Sequence, residues 1–366
     1  MKAPLILLGV LLTGSIVVAG PAVLAEEPAD VEAGESVAAP EEDAGESSAD
    51  AATSPGSRES GLHRPLNRAA AFAPAGVIMD HTHQKRDWTF SYRYVRMKSE
   101  DLLAGTDPVD IGDALAVYDS VPTEQVINRH LFGVMYAPRD RFTFALSLPY
   151  IENEVEVTDG SSRHKWRTRG IGDAQLLFLI PFVQKGEEMT HVRVGMSFPT
   201  GSIFETDDDG SRLPYAMQLG SGTWDIQWAI TYTGAHRRLS WGSQFEGQYR
   251  IGTNEIGYRL GTDYLASIWM TGSLLEWVSI SGRFAWKRLG NIHGADPTLD
   301  KTVNPLNDNM NRAGTRLEIG PGLNILLPFL GAQRLAMEVV IPVYQDLDGP
   351  QLSEKLTFTA GWQWLF

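Results

Sequence analysis

Three residues near position 80 have the types and the spacing for chemistry: Asp80, His81 and His83. In an extended backbone a His-x-His pair directs both imidazoles to the same side, as a two-ligand metal pair requires. Zinc or copper would need one or two further ligands, and Asp80, Met79 and Met97 are the candidates. The pattern predicts a copper or zinc site, with no other cofactor. The alternatives are a hydrogen-bonded plug and a solvated turn.

Acidic clusters at 207–210 and 346–349, together with Asp296 and Asp300, offer the oxygen ligands that calcium prefers. None of them continues to a closing bidentate glutamate at the spacing of a calcium loop. We therefore interpret them as solvated turns, with calcium or another cation that bridges lipopolysaccharide as the alternative.

A catalytic arrangement is not found in the sequence. Cysteine is absent, which excludes a thiol nucleophile, a disulfide and a thiolate metal site. No serine occupies a Gly-x-Ser-x-Gly motif, and the eight histidines are scattered without a partner at a characteristic spacing. We therefore expect that the protein is not an enzyme.

Composition narrows the class of protein further. The 366 residues have a mean hydropathy of −0.16, which is too polar for a helical membrane protein but compatible with a membrane barrel, whose lipid face is every second residue. The formal net charge is −14, and residues 26–57 carry ten of the acids and no base. There is no basic stripe, so nucleic acid is not an expected partner.

The amino-terminal 75 residues have the patterns of a signal peptide followed by a disordered segment. A lysine, an apolar run and small residues ending at Ala25 are typical of a cleaved secretory signal peptide, residues 1–25. Residues 26–75 are rich in Ala, Glu, Asp, Ser and Pro and predict a disordered acidic periplasmic tail. Residues 76–366 remain for the folded domain.

The folded domain is organised around strands of alternating polarity. In 356–366 every second residue is apolar and mostly aromatic, and the chain ends on Phe366. This pattern favours an all-β fold, an antiparallel transmembrane β-barrel of about twelve strands whose apolar face meets lipid. The predicted spans are 87–97, 124–137, 141–151, 169–182, 189–199, 223–234, 239–251, 256–270, 276–288, 314–328, 333–344 and 355–366.

Short and long connections alternate along these strands, as short periplasmic turns and long outer loops do in such barrels. The link at 252–255 is the one exception, since it should be long and reads as short.

Charged residues alternate with the apolar ones and must face inward, because a charge on the lipid face costs roughly 2–4 kcal/mol at midplane. They either line a polar pore and set its selectivity or pair across strands to fill a narrow lumen. The predicted lumen-lining residues are Arg93, Asp173, Arg193, Asp225, Glu246, Arg259, Asp263, Arg283, Arg316, Glu318, Arg334 and Glu338.

Three glycine motifs carry a family resemblance: Gly-Ile-Gly-Asp at 170–173, Phe-Pro-Thr-Gly at 198–201 and Gly-Ser-Gly-Thr-Trp-Asp at 220–225. Their order and spacing resemble the meta-pathway phenol-degradation family of outer-membrane proteins, relatives of the fatty-acid and aromatic-hydrocarbon channels. The resemblance implies a monomeric barrel and uptake of hydrophobic or aromatic compounds. The chain has no long apolar amino-terminal segment like the plug of the fatty-acid channels, so we expect no such hatch. The physical alternative for the glycines is close backbone approach at strand ends.

The sequence thus predicts a channel or uptake protein for small, hydrophobic or aromatic molecules in the bacterial outer membrane. Its expected partners are membrane lipid, lipopolysaccharide and a small-molecule solute. Two alternatives stay open: a barrel that binds copper or zinc at its periplasmic mouth, and a non-conducting surface protein with functional loops.

Overall fold

A computed structural model of the chain describes residues 68–327 and 332–366. The predicted signal peptide and the acidic segment up to residue 67 lie outside the described residues. Ala69, Phe72 and Ala75 are buried, and the predicted boundary between 75 and 76 stays a prediction. Within the described residues no helix is both long and apolar enough to cross a bilayer.

The secondary structure is almost entirely strand. The α-helix α1 (Ile111–Leu115) and the 3-10 turns at Ala69–Ala71, Tyr215–Met217 and Pro305–Asn307 are short. The strands are β1 (Trp88–Gly105), β2 (Asp107–Val109), β3 (Val121–Arg139), β4 (Phe142–Thr158), β5 (Arg163–Ile171), β6 (Ala174–Lys185), β7 (Glu188–Phe198), β8 (Trp224–His236), β9 (Leu239–Ile251), β10 (Tyr258–Arg259), β11 (Asp263–Leu275), β12 (Val278–Leu289), β13 (His293–Gly294), β14 (Gly314–Leu327) and β15 (Ala332–Leu365).

Eleven antiparallel strands close into a barrel, in the order β15-β14-β12-β11-β9-β8-β7-β6-β4-β3-β1, and β1 pairs with β15 to complete the circle. Two further strands of this sheet lie outside the circle, β2 beside β1 and β5 beside β4. The chain ends meet at the closure, where Trp88 N donates to Phe366 O at 2.8 Å.

The 34-residue strand β15 is bent back on itself. Its first part pairs with β14 and its second part with β1. Arg334 donates to Gln363 at 2.8 Å, and Trp362 donates to Gln333 at 2.8 Å, so the two parts run side by side. Gly349, with φ of 65°, stands at the bend. Because each of the two parts of β15 spans the height of the wall, the eleven strands form twelve spanning segments, which agrees with the predicted number of about twelve.

The wall separates two kinds of surface. Ile319, Met337 and Val194 are exposed on the outside, whereas their chain neighbours Glu318, Glu338 and Arg193 are buried inside. Alternation of this kind is what a strand imposes when lipid lies on one face and polar groups on the other. Aromatic rings pack together at the periplasmic end of the exterior, where the centroids of Trp88 and Tyr136 are 4.4 Å apart and the two rings are tilted by 31°.

The connection between β9 and β11 corrects the predicted strand 256–270. Gly252 and Gly257 have positive φ, and the Asn254 side chain accepts backbone hydrogen bonds from residues 256–258, so the chain turns instead of extending. The loop therefore spans 252–262, and the alternation of short turns and long loops has no exception here. Arg259 lies in β10, which pairs with β13 in this outer region, and not in the barrel wall.

The predicted outer loop 152–168 is also largely strand. β4 continues to Thr158, and β5 returns beside it. The hairpin is tied by ion pairs such as Lys165 Nζ to Glu154 Oε1 at 2.6 Å. It extends the wall beyond the apolar band on one side of the barrel.

Candidate functional site in the barrel lumen

Residues 68–87, called the plug here, enter the barrel from its periplasmic end and return to it. Entry is fixed at the short turns, where Arg68 pairs with Glu187 at 2.9 Å and Ala69 N donates to Glu276 O at 2.9 Å. At the exit Lys85 N donates to Asp140 Oδ1 at 2.8 Å. The expectation that the lumen has no hatch is therefore wrong. Residues 69–79 of this segment are mostly apolar and rich in alanine, and the wall supplies hydrogen-bond partners for their backbone.

The apex of the plug is held through its backbone carbonyls. Arg193 and Gln244 donate to Ile78 O at 3.1 and 3.0 Å. His191 Nε2 donates to Met79 O at 3.0 Å, so this nitrogen carries the proton. Met79 has φ of 57°, an uncommon conformation for a residue with a Cβ, and it makes the reversal tight.

The polar groups below the apex are paired as well. Arg93 donates to Val77 O at 3.2 Å. Glu338 accepts from Gly76 N and from Arg283 Nε, the latter at 2.7 Å. These contacts join the plug to strands on opposite sides of the barrel, so the plug bridges the lumen instead of lying on one wall.

The foot of the plug packs on Arg334. The guanidinium carbon lies 4.7 Å from the centre of the Phe72 ring, and Nη2 donates to Ala73 O at 2.5 Å. The same guanidinium donates to Asn324 Oδ1 at 2.7 Å. A cation enclosed among apolar residues needs such partners to offset its lost hydration.

Asp80, His81 and His83 are all buried in the plug. Asp80 Oδ1 accepts from His81 Nδ1 at 2.8 Å, and its Oδ2 accepts from Ala73 N at 2.7 Å. Burial raises the pKa of Asp80, but the attraction of His81 and Arg334 and these hydrogen bonds outweigh it and hold the pKa well below its usual range. The carboxylate therefore acts here as a hydrogen-bond acceptor that ties the plug to itself.

The rings of His81 and His83 lie side by side, with centroids 4.9 Å apart, and His81 Nε2 is buried without a hydrogen-bond partner. Among the described residues there is no group of three His, Cys, Asp or Glu side chains placed to hold a metal ion. Both oxygens of Asp80, the expected third ligand, are engaged. Copper or zinc binding stays a prediction.

Above the plug the lumen is hollow. A cavity of about 620 Å³ lies inside the wall, and its floor includes Ile78 at the plug apex. Its apolar lining includes Met97, Ile127, Leu177, Leu265 and Leu306. Its charged lining consists of Arg129, Arg193, Glu246, Asp263, Lys287, Asp308, Arg312, Arg316 and Glu354.

Two ion-pair networks organise most of these charges. On one side Asp263 accepts from Arg250 at 2.9 Å and from Arg312 at 3.0 Å, and Asp225 lies 3.6 Å from Arg250. The other network surrounds Glu354, whose carboxylate lies 3.4 Å from Lys287 and 3.9 Å from Arg316, and Glu318 lies 4.0 Å from Lys287. The inward charges therefore line the cavity and also pair across strands, while their role in a pore stays a prediction.

Outer loops cover the cavity with an apolar cluster, called the lid here and formed by residues of 199–223, 252–262 and 290–313. Tyr215, Tyr258 and Ile292 pack together at its centre. Burial raises the pKa of Tyr258 to about 12, so its hydroxyl stays protonated. Tyr258 falls within the predicted strand 256–270, but the structure places it in the lid.

A buried ion pair fixes the lid loops to one another. Arg212 Nε donates to Asp296 Oδ2 at 2.9 Å, and Tyr215 accepts from Asp296 N at 2.8 Å. Burial raises the pKa of Asp296, but hydrogen bonds from Thr298 and the Arg212 guanidinium outweigh it, and the pKa is lowered.

The three glycine motifs meet at Asp173, between β5 and β6. Its Oδ1 accepts from Gly201 N at 2.9 Å, and its Oδ2 accepts from Ser221 N at 2.8 Å and Ser221 Oγ at 2.9 Å. A Cβ on Gly201 would lie 2.7 Å from Gly220 Cα, so the two backbones approach as closely as only glycine allows. The motifs serve the structure by fixing the lid loop 199–223 to the wall, and Asp173 lies at the outer rim.

Sequence reasoning overlooked Arg129. It faces the cavity from β3, yet it was not among the predicted lumen residues. The alternation of Ile127, Arg129 and Leu131 against Asn128 and His130 contained the signal, but both faces of this segment include polar residues.

Comparison with known proteins agrees with this architecture. The crystal structure of the COG4313 outer membrane channel from Pseudomonas putida F1 aligns with a TM-score of 0.59 at 12% identity, over 81% of this chain and 100% of that one. The fold is that of an outer-membrane β-barrel. Its closed wall and apolar exterior place the protein in the bacterial outer membrane.

Other similar structures are more distant. A Pseudomonas aeruginosa FadL homologue has a TM-score of 0.38 at 10% identity, over 83% of this chain and 95% of that one. The TodX monoaromatic hydrocarbon channel has 0.43 at 6% identity, over 82% and 94%. No family model and no curated protein matches the chain. The resemblance to the phenol-degradation family therefore rests on the glycine motifs and stays a prediction.

Proposed function

We propose that this outer-membrane barrel is a channel for small solutes with an apolar or aromatic body, and that the plug is its periplasmic barrier. The observation that carries the proposal is the cavity of about 620 Å³ that remains inside the wall above the plug. A barrel that served only as an anchor for surface loops would gain stability by filling that space. Small-molecule sites have volumes of roughly 300–1,000 Å³, so the cavity has the size of a solute site.

The lining matches a solute that is not fully polar. Apolar side chains such as Ile127, Leu177 and Leu265 alternate around the cavity with charged and amide groups. A cavity that conducted only water or ions would need only polar side chains in its lining. Apolar patches facing a water-filled space are favourable only when a ligand covers them for part of the time.

On this proposal the plug withdraws from the lumen when the channel opens. Its apex is held by side chains of the wall that donate to the carbonyls of Val77, Ile78 and Met79. Each such hydrogen bond contributes about 1 kcal/mol net, since water replaces the partner on withdrawal. The hydrogen bonds between wall strands are separate from these contacts and remain intact.

Single-channel recording of the full chain in planar bilayers tests the proposal. We expect discrete current steps, with long closed periods set by the plug, and block of the current by an aromatic solute added on the outer side. Current equal to that of protein-free bilayers, in wild type and in a variant with a loosened plug, would show instead a non-conducting surface protein.

A further inference from the structure

Arg129 differs from the other arginines of the lumen because, among the described residues, it has no hydrogen bond and no ion pair. Its side chain lies within the wall but is accessible to water inside the cavity. Its neighbours across the strands are Val95 and Ile151, whose side chains offer no acceptor. By contrast, Arg193 pairs with Glu246, and Arg312 pairs with Asp263.

The nearby carboxylates are already engaged. Asp263 and Glu354 are the acids whose charges act on Arg129. Asp263 binds two guanidinium groups, those of Arg250 and Arg312, at 2.9 and 3.0 Å. Glu354 lies within 3.4 Å of Lys287 and accepts from Thr357 at 2.6 Å. Neither acid is left to neutralise Arg129.

The cavity lining contains five cationic side chains. Arg193, Lys287, Arg312 and Arg316 each lie within ion-pair distance of a carboxylate. Among the described residues Arg129 is the lining cation without such a partner. Arg129 is exposed to the cavity, so its guanidinium is accessible to an anionic ligand that enters from the outer side.

We propose that Arg129 is the anion-binding residue of the cavity, and that the ligand is a small monocarboxylate with an apolar, aromatic-sized body. The inference rests on the proposed channel function and adds the class of solute. A carboxylate matches the planar fork of a guanidinium with two parallel hydrogen bonds.

The apolar lining explains why the ligand is not a simple inorganic anion. Met97 and Ile127 are paired across β1 and β3 directly beside Arg129, and both line the cavity. A carboxylate held by Arg129 would place an attached ring against these side chains. Chloride or phosphate would leave the same apolar surface uncovered.

Isothermal titration of the purified full chain in detergent with benzoate, benzamide and inorganic phosphate tests the assignment. Benzamide has the same ring and shape without the charge. We expect wild type to bind benzoate at least tenfold more tightly than benzamide or phosphate, as a charge-assisted pair gives. Arg129→Gln should lose roughly tenfold to a hundredfold in benzoate affinity and leave benzamide binding unchanged, and Arg129→Lys should retain part of the preference.

Arg169→Gln is the matched control, because Arg169 is an exposed arginine of β5 outside the cavity. It should bind benzoate as wild type does. Equal benzoate affinity in wild type and Arg129→Gln, or phosphate binding as tight as benzoate binding, would overturn the assignment. The titration does not depend on conductance, so the two proposals can fail separately. A channel that conducts but does not bind benzoate would contradict only the assignment of Arg129. A barrel that binds benzoate but does not conduct would contradict only the channel function.

Discussion

Single residues of similar type have different roles in this protein. Asp173 is a structural acceptor at which three glycine-containing segments meet, whereas Arg129 is a cation that the described protein leaves without a partner. Asp80 and His81 were expected to bind metal, and the structure shows them bonded to one another within the plug. These roles differ because neighbouring groups supply hydrogen bonds to the carboxylates of Asp173 and Asp80, whereas none is supplied to the guanidinium of Arg129 among the described residues.

Asp173→Ala should destabilise the lid loop 199–223, because it removes three hydrogen bonds to one carboxylate. We expect a loss of about 2 kcal/mol, since the half-buried site leaves part of the loss to be made up by water. Hydrogen exchange of the loop and thermal unfolding in detergent would measure it. Asp208→Ala, an exposed acid of the same loop, removes the same charge and should change neither. Equal protection in the two variants would contradict the role of Asp173.

Among the elements, the plug and the lid have contrasting construction. The plug is one segment whose backbone accepts hydrogen bonds from wall side chains and whose Ala73 and Val77 pack on Trp269. The lid is an apolar cluster of several loops fixed by a buried ion pair. This contrast predicts that the two ends of the cavity respond to different perturbations.

Gly76→Val should loosen the plug without changing any charge. A Cβ at this position would lie 2.5 Å from an Arg283 nitrogen and closer still to a Glu338 oxygen, so the apex and this ion pair cannot keep their places together. We expect more frequent and longer openings in single-channel recordings. Gly282→Val is the control, since a Cβ there meets nothing within 4 Å. Identical open times in both variants would remove the plug from the gating mechanism.

The lid should depend on pH only in acid. Asp296 has a pKa below its ordinary value of 3.8 in the folded protein, so its contribution to stability is complete above 3.8 and is lost as the pH falls through the lowered folded value. Hydrogen exchange of residues 290–300, corrected for intrinsic rates, should be constant from pH 7 to pH 5 and rise below the ordinary value. In Asp296→Asn the lid should be more mobile already at pH 7, and the acid response should vanish. A rise that begins near neutral pH would contradict this assignment.

The whole molecule is a wall with apolar residues outside and polar groups inside, and its stability in lipid depends on that separation. Ile319 and Glu318 are neighbours in β14 with opposite surroundings, one exposed and one buried. Exchange of such a pair between faces would place a charge in hydrocarbon.

Ile319→Lys should therefore destabilise the barrel by about 2–4 kcal/mol, the cost of a lysine near the bilayer midplane. Urea unfolding in phospholipid vesicles would measure the change. Val117→Lys is the control, because Val117 is 69% exposed in the loop after α1 and should tolerate lysine with little loss. An equal effect of both substitutions would be incompatible with lipid contact at Ile319.

Much of the wall could be predicted from the sequence because its cause is local. Each strand repeats its polarity every two residues, and the solvent on each face selects the residue type, so strands, faces and approximate strand number follow from the chain alone. The predicted strand ends were less accurate where a side chain such as Asn254 turns the backbone, and where β4 and β5 continue beyond the membrane. Those outcomes depend on partners that alternation does not identify.

What the chain by itself determined is a closed sheet with an apolar outside and a charged inside. Only the tertiary structure decided what fills that inside. The plug is rich in alanine, and it folds into the lumen because Arg93, Arg193 and Gln244 on distant strands donate hydrogen bonds to its carbonyls. Likewise, the sequence does not distinguish one inward arginine from another. Only the three-dimensional structure shows that Arg193 pairs with Glu246, whereas Arg129 lines the cavity without an ion-pair partner among the described residues. Ion pairing depends on distances between strands, which the order of residues along one strand does not contain.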